Sequence, residues 1–197
     1  MLIIGLTGTI ASGKSTIAAT FERYHFPVFD ADRAVHKLLG PHGRAVPEIL
    51  ANFGDCGTIS GGIDRKKLGG QVFGDTQALA ALEAILHPQV AAARLRFLAR
   101  GQMARRRAVV LDVPLLFETG TDDLCDVTIM AFAPMRLIQE RALRRPNMTA
   151  EKLAHILAKQ MPQHDKARLV DEKITTALGR GVMTGQILRL LSKWQLR

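Results

Sequence analysis

An α/β fold with a parallel sheet covered by helices on both faces is predicted here, and three observations predict it. Short, continuously apolar runs alternate with helix-length amphipathic segments along the chain, the pattern of a sheet buried on both sides. The first of these runs, Leu2-Ile3-Ile4-Gly5-Leu6, stops at a glycine-rich turn that opens directly into a helical segment. The 197 residues suffice for one domain with its own core and leave room for an inserted subdomain.

The elements follow in order. Leu2–Leu6 reads as a buried strand, and Ser15–Tyr24 as the helix after the turn. Pro27-Val28-Phe29 is a second strand, ending at Asp30-Ala31-Asp32. Arg33–Leu39 then resumes helical spacing, until Pro41, Gly43 and Pro47 break it or separate it from the next helix. From Gly54 to Gly74 glycine is frequent, with Gly61-Gly62 and Gly69-Gly70 as turn signals, so irregular structure is expected. Gln77–Leu86 places Leu79, Leu82, Ile85 and Leu86 at helical spacing. Pro88 lacks an amide hydrogen and disfavours helical angles at the preceding residue, so a kink or break is expected at His87. The helix resumes over Val90–Arg100. Ala108–Pro114 and Asp126–Phe132 are the third and fourth strands. Helices follow at Met135–Arg144 and Ala150–Met161, the latter with Thr149 as N-cap and Pro162 as its stop. Glu172–Ala177 is a fifth strand, and Gly185–Trp194 closes the chain as an amphipathic helix.

Composition narrows the partners. The formal net charge of +9 and the pI near 10.2 favour polyanions. With one Trp and one Tyr, the arginines are not interleaved with aromatics as a base-stacking surface requires. Phosphorylated small molecules are therefore expected rather than nucleic acid. Cys56 and Cys125 form no CxxC or Cys/His cluster, so neither a disulfide framework nor a zinc site is indicated. No basic n-region opens the chain and no apolar run reaches the roughly 18 residues of a membrane span. A cytoplasmic setting without a membrane partner is expected, and the oligomeric state is left open.

The chemistry is concentrated in Gly8-Thr9-Ile10-Ala11-Ser12-Gly13-Lys14-Ser15. A triphosphate needs donors converging on closely spaced oxygens, and a glycine-rich turn entering a helix supplies them from backbone amides. Gly8 and Gly13 let the backbone turn, and the loop through Ala11, Ser12, Gly13 and Thr16 would cradle the phosphates. Lys14 would reach the β- and γ-phosphates of ATP, and the Ser15 hydroxyl would hold Mg2+. The DxxG and NKxD segments of a GTPase switch are absent from the chain, which is also too short for the large motor ATPases. A small kinase remains: a three-layer P-loop kinase fold with a parallel sheet of about five strands.

Such a kinase needs an acceptor side. Asp30 and Asp32 follow the second strand, whose C-terminal end in a parallel sheet shares the ligand-binding edge with the phosphate loop. One carboxylate would accept the proton of the acceptor hydroxyl and the other would hold magnesium through water; each alone is equally suited to cap a helix. Arg141 and Arg145, four apart, would lie on one helix face and clamp phosphate, or belong to a solvated basic face. His87 could bond the acceptor or serve as a turn residue. Arg65 could meet its phosphates or sit in a solvated charge run. Asp112 could stand near Mg2+ or point into the sheet.

Taken together, Ile4-Gly5-Leu6-Thr7-Gly8 with Ser12-Gly13-Lys14-Ser15-Thr16, Asp30-Ala31-Asp32, Leu86-His87-Pro88, Asp112-Val113-Pro114-Leu115-Leu116-Phe117-Glu118, Arg141 with Arg145, and Gln160 with Lys166 resemble the dephospho-coenzyme A kinase family over nearly the whole length. The resemblance implies transfer of the ATP γ-phosphoryl group to the ribose 3′-hydroxyl of dephospho-coenzyme A, with magnesium. It implies that Asp32 is the base, that about 56–100 is an inserted, mostly helical acceptor-binding subdomain, and that about 135–166 is a helical lid bringing Arg141 and Arg145 onto the donor phosphates. The chain departs from the family pattern where glycine is usual, at Thr9 and Ala11; both are variable loop positions, although Thr9 adds bulk near the acceptor. It departs again in Val170–Gly179, which lacks the family's asparagine near Thr176. A shikimate- or gluconate-type kinase is the nearest alternative and a nucleic-acid-associated ATPase a more distant one; the glycine triplet of the shikimate enzymes is replaced here by Pro114-Leu115-Leu116.

Overall fold

The computed structural model describes residues 1–196. Its five strands, β1 (Leu2–Thr7), β2 (Val28–Asp30), β3 (Ala108–Asp112), β4 (Val127–Phe132) and β5 (Glu172–Thr175), form one sheet in the order β2-β3-β1-β4-β5. Strand β1 pairs in parallel with β3 and β4, and β4 in parallel with β5. Val109, Val110 and Leu111 of β3 are all fully buried, so consecutive side chains on opposite faces are both covered. That is why these strands read as continuous apolar runs rather than alternating ones.

Helix α1 (Lys14–Arg23) follows the glycine turn, and α9 (Arg180–Lys193) is the last helix among the described residues. Ile17 and Phe21 of α1 and Ile187 and Leu191 of α9 join Ile4, Leu6, Val110, Ile129 and Ile174 of the sheet in one core. Each such burial contributes about 1.5–3 kcal/mol relative to exposure. Asp171 fixes the start of β5, accepting from both the amide and the hydroxyl of Thr128 at 2.7 and 2.8 Å.

The chain divides into two compact units, Met1–Phe29 with Gly101–Arg197, and Asp30–Arg100. The second holds helices α2 (Ala31–Leu39), α3 (Val46–Phe53), α4 (Arg65–Val72) and most of α5 (Thr76–Met103). It has its own core of Leu38, Leu39, Ile49, Ile63, Leu68, Ile85 and Leu86. The stretch 56–100, where an insertion is expected, lies within it together with residues 30–55.

Three expectations about local structure are corrected. Residues Arg65–Val72, expected to be irregular, form a helix because Asp64 caps it, its Oδ1 accepting from the amides of Lys66 and Lys67 at 2.9 and 3.2 Å. Those two bonds hold the Asp64 carboxyl below the usual aspartate range. The cap therefore contributes fully above that range and is lost as pH falls through the lowered value. Second, α5 runs unbroken through Pro88. The carbonyl of Ala84, deprived of its donor, belongs to an exposed residue that water can satisfy, while buried Ile85 and Leu86 anchor the helix. Third, the helix from Ala150 stops at Ala158, short of the expected Met161, and a further helix that was not expected, α8 (Gln163–Leu169), follows with Pro162 as its N-cap residue, a position where a missing amide hydrogen costs nothing. Helices α6 (Met135–Leu143) and α7 (Ala150–Ala158) precede it, and Thr149 caps α7 as expected, accepting from the Lys152 amide at 3.2 Å.

Candidate active site

The loop Gly8–Gly13 leaves the C-terminal end of β1 and delivers Lys14 to the first position of α1. Its shape rests on backbone room. A Cβ on Gly13 would stand 2.9 Å from the Thr176 side chain, and Gly13 itself has φ 96°. A Cβ on Gly8 would stand 2.5 Å from Ser12 Oγ. Ser12 closes a tight turn by donating its amide to the Thr9 carbonyl at 3.0 Å, and Thr16 donates to the Gly13 carbonyl at 3.0 Å. The amides of Ala11, Gly13, Lys14 and Ser15 have no hydrogen-bond partner among the described residues. A row of unspent amides at a helix start is a concave anion site, with the helix dipole adding to it.

Lys14 Nζ donates to Asp112 Oδ1 as an ion pair, with the aspartate only 4% exposed at the end of β3. The register explains the meeting: Asp112 pairs with Leu6 in β1, just before the loop. Asp112 thus leaves the strand towards the phosphate loop rather than into the sheet. Ser15 is exposed in the first turn of α1.

Arg141 lies on α6 and donates through Nη1 to Thr176 Oγ1 at 3.0 Å and through Nη2 to the Thr176 carbonyl at 2.8 Å. Thr176 Oγ1 in turn donates to the Ser12 carbonyl. A chain of hydrogen bonds therefore runs from Arg141 to the phosphate loop, with Thr176, just after β5, as its middle link. Arg145 does not share the α6 face with Arg141. The helix ends at Leu143, so Arg145 stands exposed in the following turn. Arg144, between them, pairs with Glu140 on the surface.

Helices α6–α8 are tied to the loop by further contacts. Gln160 Oε1 accepts from the Ile10 amide at 3.1 Å. Ala11 packs with Ala142 and Leu153. It does so at φ 60°, where a Cβ costs roughly 1 kcal/mol; burial of its methyl offsets part of this. Lys166 is fully buried, bonding the Pro114 carbonyl and Glu118 Oε1, each at 2.9 Å. Glu118 Oε1 also accepts from the Met161 amide at 2.8 Å.

In the second unit, Asp30 is the N-cap of α2, its Oδ1 accepting from the Arg33 amide at 2.9 Å. Asp32 is exposed in the first turn of α2. Arg65 is exposed at the start of α4, and His87 is exposed within α5 rather than in a turn. Among the described residues, no group of three or more His, Cys, Asp or Glu side chains could hold a metal on its own. No helix among them is long and apolar enough to cross a membrane.

A family model for dephospho-CoA kinase matches residues 2–177. The chain belongs to the dephospho-CoA kinase family. The dephospho-CoA kinase of Rhodospirillum rubrum is 50% identical over 178 residues, 90% of this chain and 84% of that protein. Among solved structures, the Thermus thermophilus protein TT1252 is similar with a TM-score of 0.80 at 29% identity, covering 98% of this chain and 96% of that one. The dephospho-CoA kinase of Campylobacter jejuni shares the fold, with a TM-score of 0.65 at 23% identity over 98% of this chain and 96% of its own. For a dephospho-CoA kinase family member, Thr176 carries a link that the sequence does not disclose, joining Arg141 to the phosphate loop. It stands where the resemblance expects asparagine, and nothing local in the sequence marks its bond to Ser12, 164 positions away.

Proposed function

We propose that the chain is a dephospho-CoA kinase, transferring the γ-phosphoryl group of ATP to the ribose 3′-hydroxyl of dephospho-coenzyme A. The row of unspent amides running into Lys14 carries the phosphate chemistry, and the family supplies the acceptor. The amides of Ala11 and Gly13–Ser15 bind the donor phosphates, and Gly8, Ser12 and Thr16 keep the loop in shape. Lys14 exchanges part of its attraction to Asp112 for the γ-phosphate. Arg141, held ready by Thr176, neutralises charge on the transferring group, with Arg145, exposed in the turn after α6, as a second donor. Asp32 accepts the proton of the 3′-hydroxyl as that oxygen attacks phosphorus and the bond to the β-phosphate oxygen breaks, releasing ADP. Asp30 keeps α2, and with it Asp32, in position. Arg65 and His87 bind the acceptor, within the stretch 56–100, and residues 135–166 serve as the lid.

Ser15 and Asp112 are hard oxygen donors that fit Mg2+. With no all-protein metal cluster among the described residues, the ion would be shared with the phosphates, as Mg2+ usually is. Bound there, it would neutralise charge on the phosphate oxygens. Cys56 and Cys125 form no disulfide, which suits a reducing cytoplasm, and the reaction involves no nucleic-acid partner.

The deciding measurement is coupled ADP release with dephospho-coenzyme A, shikimate, gluconate and nucleosides as acceptors. Dephospho-coenzyme A should stand far above the rest; a rate no greater than the water background would remove the assignment. A second expectation concerns the clasp. Thr176→Val should lower kcat/KM for ATP roughly 10- to 100-fold, the loss of hydrogen bonds involving a charged partner, while Thr176→Ser should stay near wild type. A loss in Thr176→Ser with none in Thr176→Val would mean that the methyl at Thr176, not its hydroxyl, matters.

A further inference from the structure

Strand β3 ends at Asp112, and from Pro114 to Gly120 the chain runs as irregular turn. Bonding to β1 reaches one residue past the strand, the Val113 amide donating to the Leu6 carbonyl at 3.0 Å. Pro114 comes next and has no amide hydrogen with which to continue the ladder. Two side chains take over instead, both on the Pro114 carbonyl. Thr7 Oγ1, from the last residue of β1, donates to it at 3.0 Å, and Lys166 Nζ, from α8, at 2.9 Å.

Lys166 is fully buried, which lysine almost never is unless paired. Its partner is Glu118, in the same irregular segment, at 2.9 Å. Stability alone does not explain such a pair, since well-packed apolar side chains of similar volume often serve as well or better. What the pair supplies is placement. Glu118 Oε1 also accepts from the Met161 amide at 2.8 Å, and Gln160, next in sequence to Met161, accepts from the Ile10 amide of the phosphate loop at 3.1 Å. The ammonium and the carboxylate thus join the segment after Asp112, the end of β1 and the turn before α8. The first two lead straight into the site: Asp112 is ion-paired with Lys14, and Thr7 precedes Gly8 of the phosphate loop.

We propose that Lys166 is a positioning residue for phosphoryl transfer, an inference that rests on the dephospho-CoA kinase reading above. By holding the Pro114 carbonyl, Lys166 fixes the backbone two residues after Asp112, and Asp112 in turn aims Lys14 at the transferring group. Lys166 has no exposed surface and acts only through these neighbours. Its effect is on alignment, where a misplacement of about 1 Å can cost roughly 100-fold in rate.

The test compares wild type, Lys166→Met, the double variant Lys166→Met with Glu118→Gln, and Thr7→Val, in thermal denaturation and in steady-state transfer to dephospho-coenzyme A. Lys166→Met should lower kcat roughly 10- to 100-fold and leave the KM of both substrates within about threefold, the pattern of lost transition-state alignment. It should also lower the melting temperature, because Glu118 loses its cation. The double variant removes that unpaired charge and keeps an acceptor for the Met161 amide. Its melting temperature should return towards wild type while its kcat stays low. Recovery of kcat together with stability would make the pair merely structural and overturn the proposal. So would a kcat within about threefold of wild type in Lys166→Met, or a loss confined to KM. Thr7→Val removes only the other bond to the Pro114 carbonyl and should lower kcat roughly 3- to 10-fold, the scale of one hydrogen bond. It decides the matter if the Lys166 variants do not fold, and an unchanged kcat there overturns the proposal as well. If wild type turned over no dephospho-coenzyme A, the functional reading itself would fall; the variant outcomes leave that reading standing and bear on Lys166 alone.

Discussion

Lys14→Ala is expected to lower phosphoryl transfer roughly 100- to 1,000-fold or more, the scale of removing a donor aimed at transition-state charge. It should also destabilise the protein, which a loop residue with no part in packing would not do. Lys14 Nζ is ion-paired with Asp112, whose side chain is 5% exposed. Removing the cation from such a pair costs about 3 kcal/mol, because the remaining carboxylate stays desolvated. In a domain of this size that corresponds to a melting temperature lower by about 6–12 °C. The double variant Lys14→Met with Asp112→Asn should recover most of the stability and none of the activity. Thermal denaturation and the ADP-release assay read the two effects separately. Full activity in Lys14→Ala would undo the phosphate-loop assignment, and an unshifted melting temperature would mean that the Asp112 pair contributes nothing to the fold.

Asp32→Asn should reduce kcat roughly 100- to 10,000-fold, the range for a general base, while the KM for ATP changes little. The expectation follows from its place. Asp32 sits exposed in the first turn of α2, whereas Asp30 accepts the capping bond from Arg33. The two carboxylates thus divide their work, and their variants should divide too. Asp30→Asn preserves a capping side chain and should affect turnover far less. Single-turnover kinetics with saturating ATP would separate a lost base from lost nucleotide binding. A kcat for Asp32→Asn within a few-fold of wild type would exclude Asp32 from proton transfer.

How much of this was legible in the sequence depended on how local the determining forces are. Strands β1, β3 and β4 announced themselves because burial on both faces leaves an unbroken apolar run. The phosphate loop did so because tight turning, amide donors and a lysine are all encoded in adjacent residues. Helix α4 was obscured by Gly69 and Gly70, since composition weighs glycines without seeing the Asp64 cap that starts the helix. Pro88 misled for a related reason: the cost of a missing donor depends on whether the orphaned carbonyl is exposed, which no local pattern states. Within the site, Asp112 could be read either way until the register placed it beside Leu6. The Arg141–Thr176–Ser12 chain was invisible, because it joins three segments that only the folded sheet brings together.

The order β2-β3-β1-β4-β5 bears on how the chain assembles over time. Strand β1 is synthesised first, yet both its neighbours lie over a hundred residues further on, Ala108 opposite Leu2 and Val127 opposite Ile4. Contacts of such high sequence separation form slowly, because loop closure must precede any gain. Residues 30–100 carry a core of their own and can collapse while β1 waits. The nascent chain therefore holds its most apolar strand and its phosphate loop unpaired until β3 and β4 arrive. Ligand binding at the loop cannot assist folding before that late step.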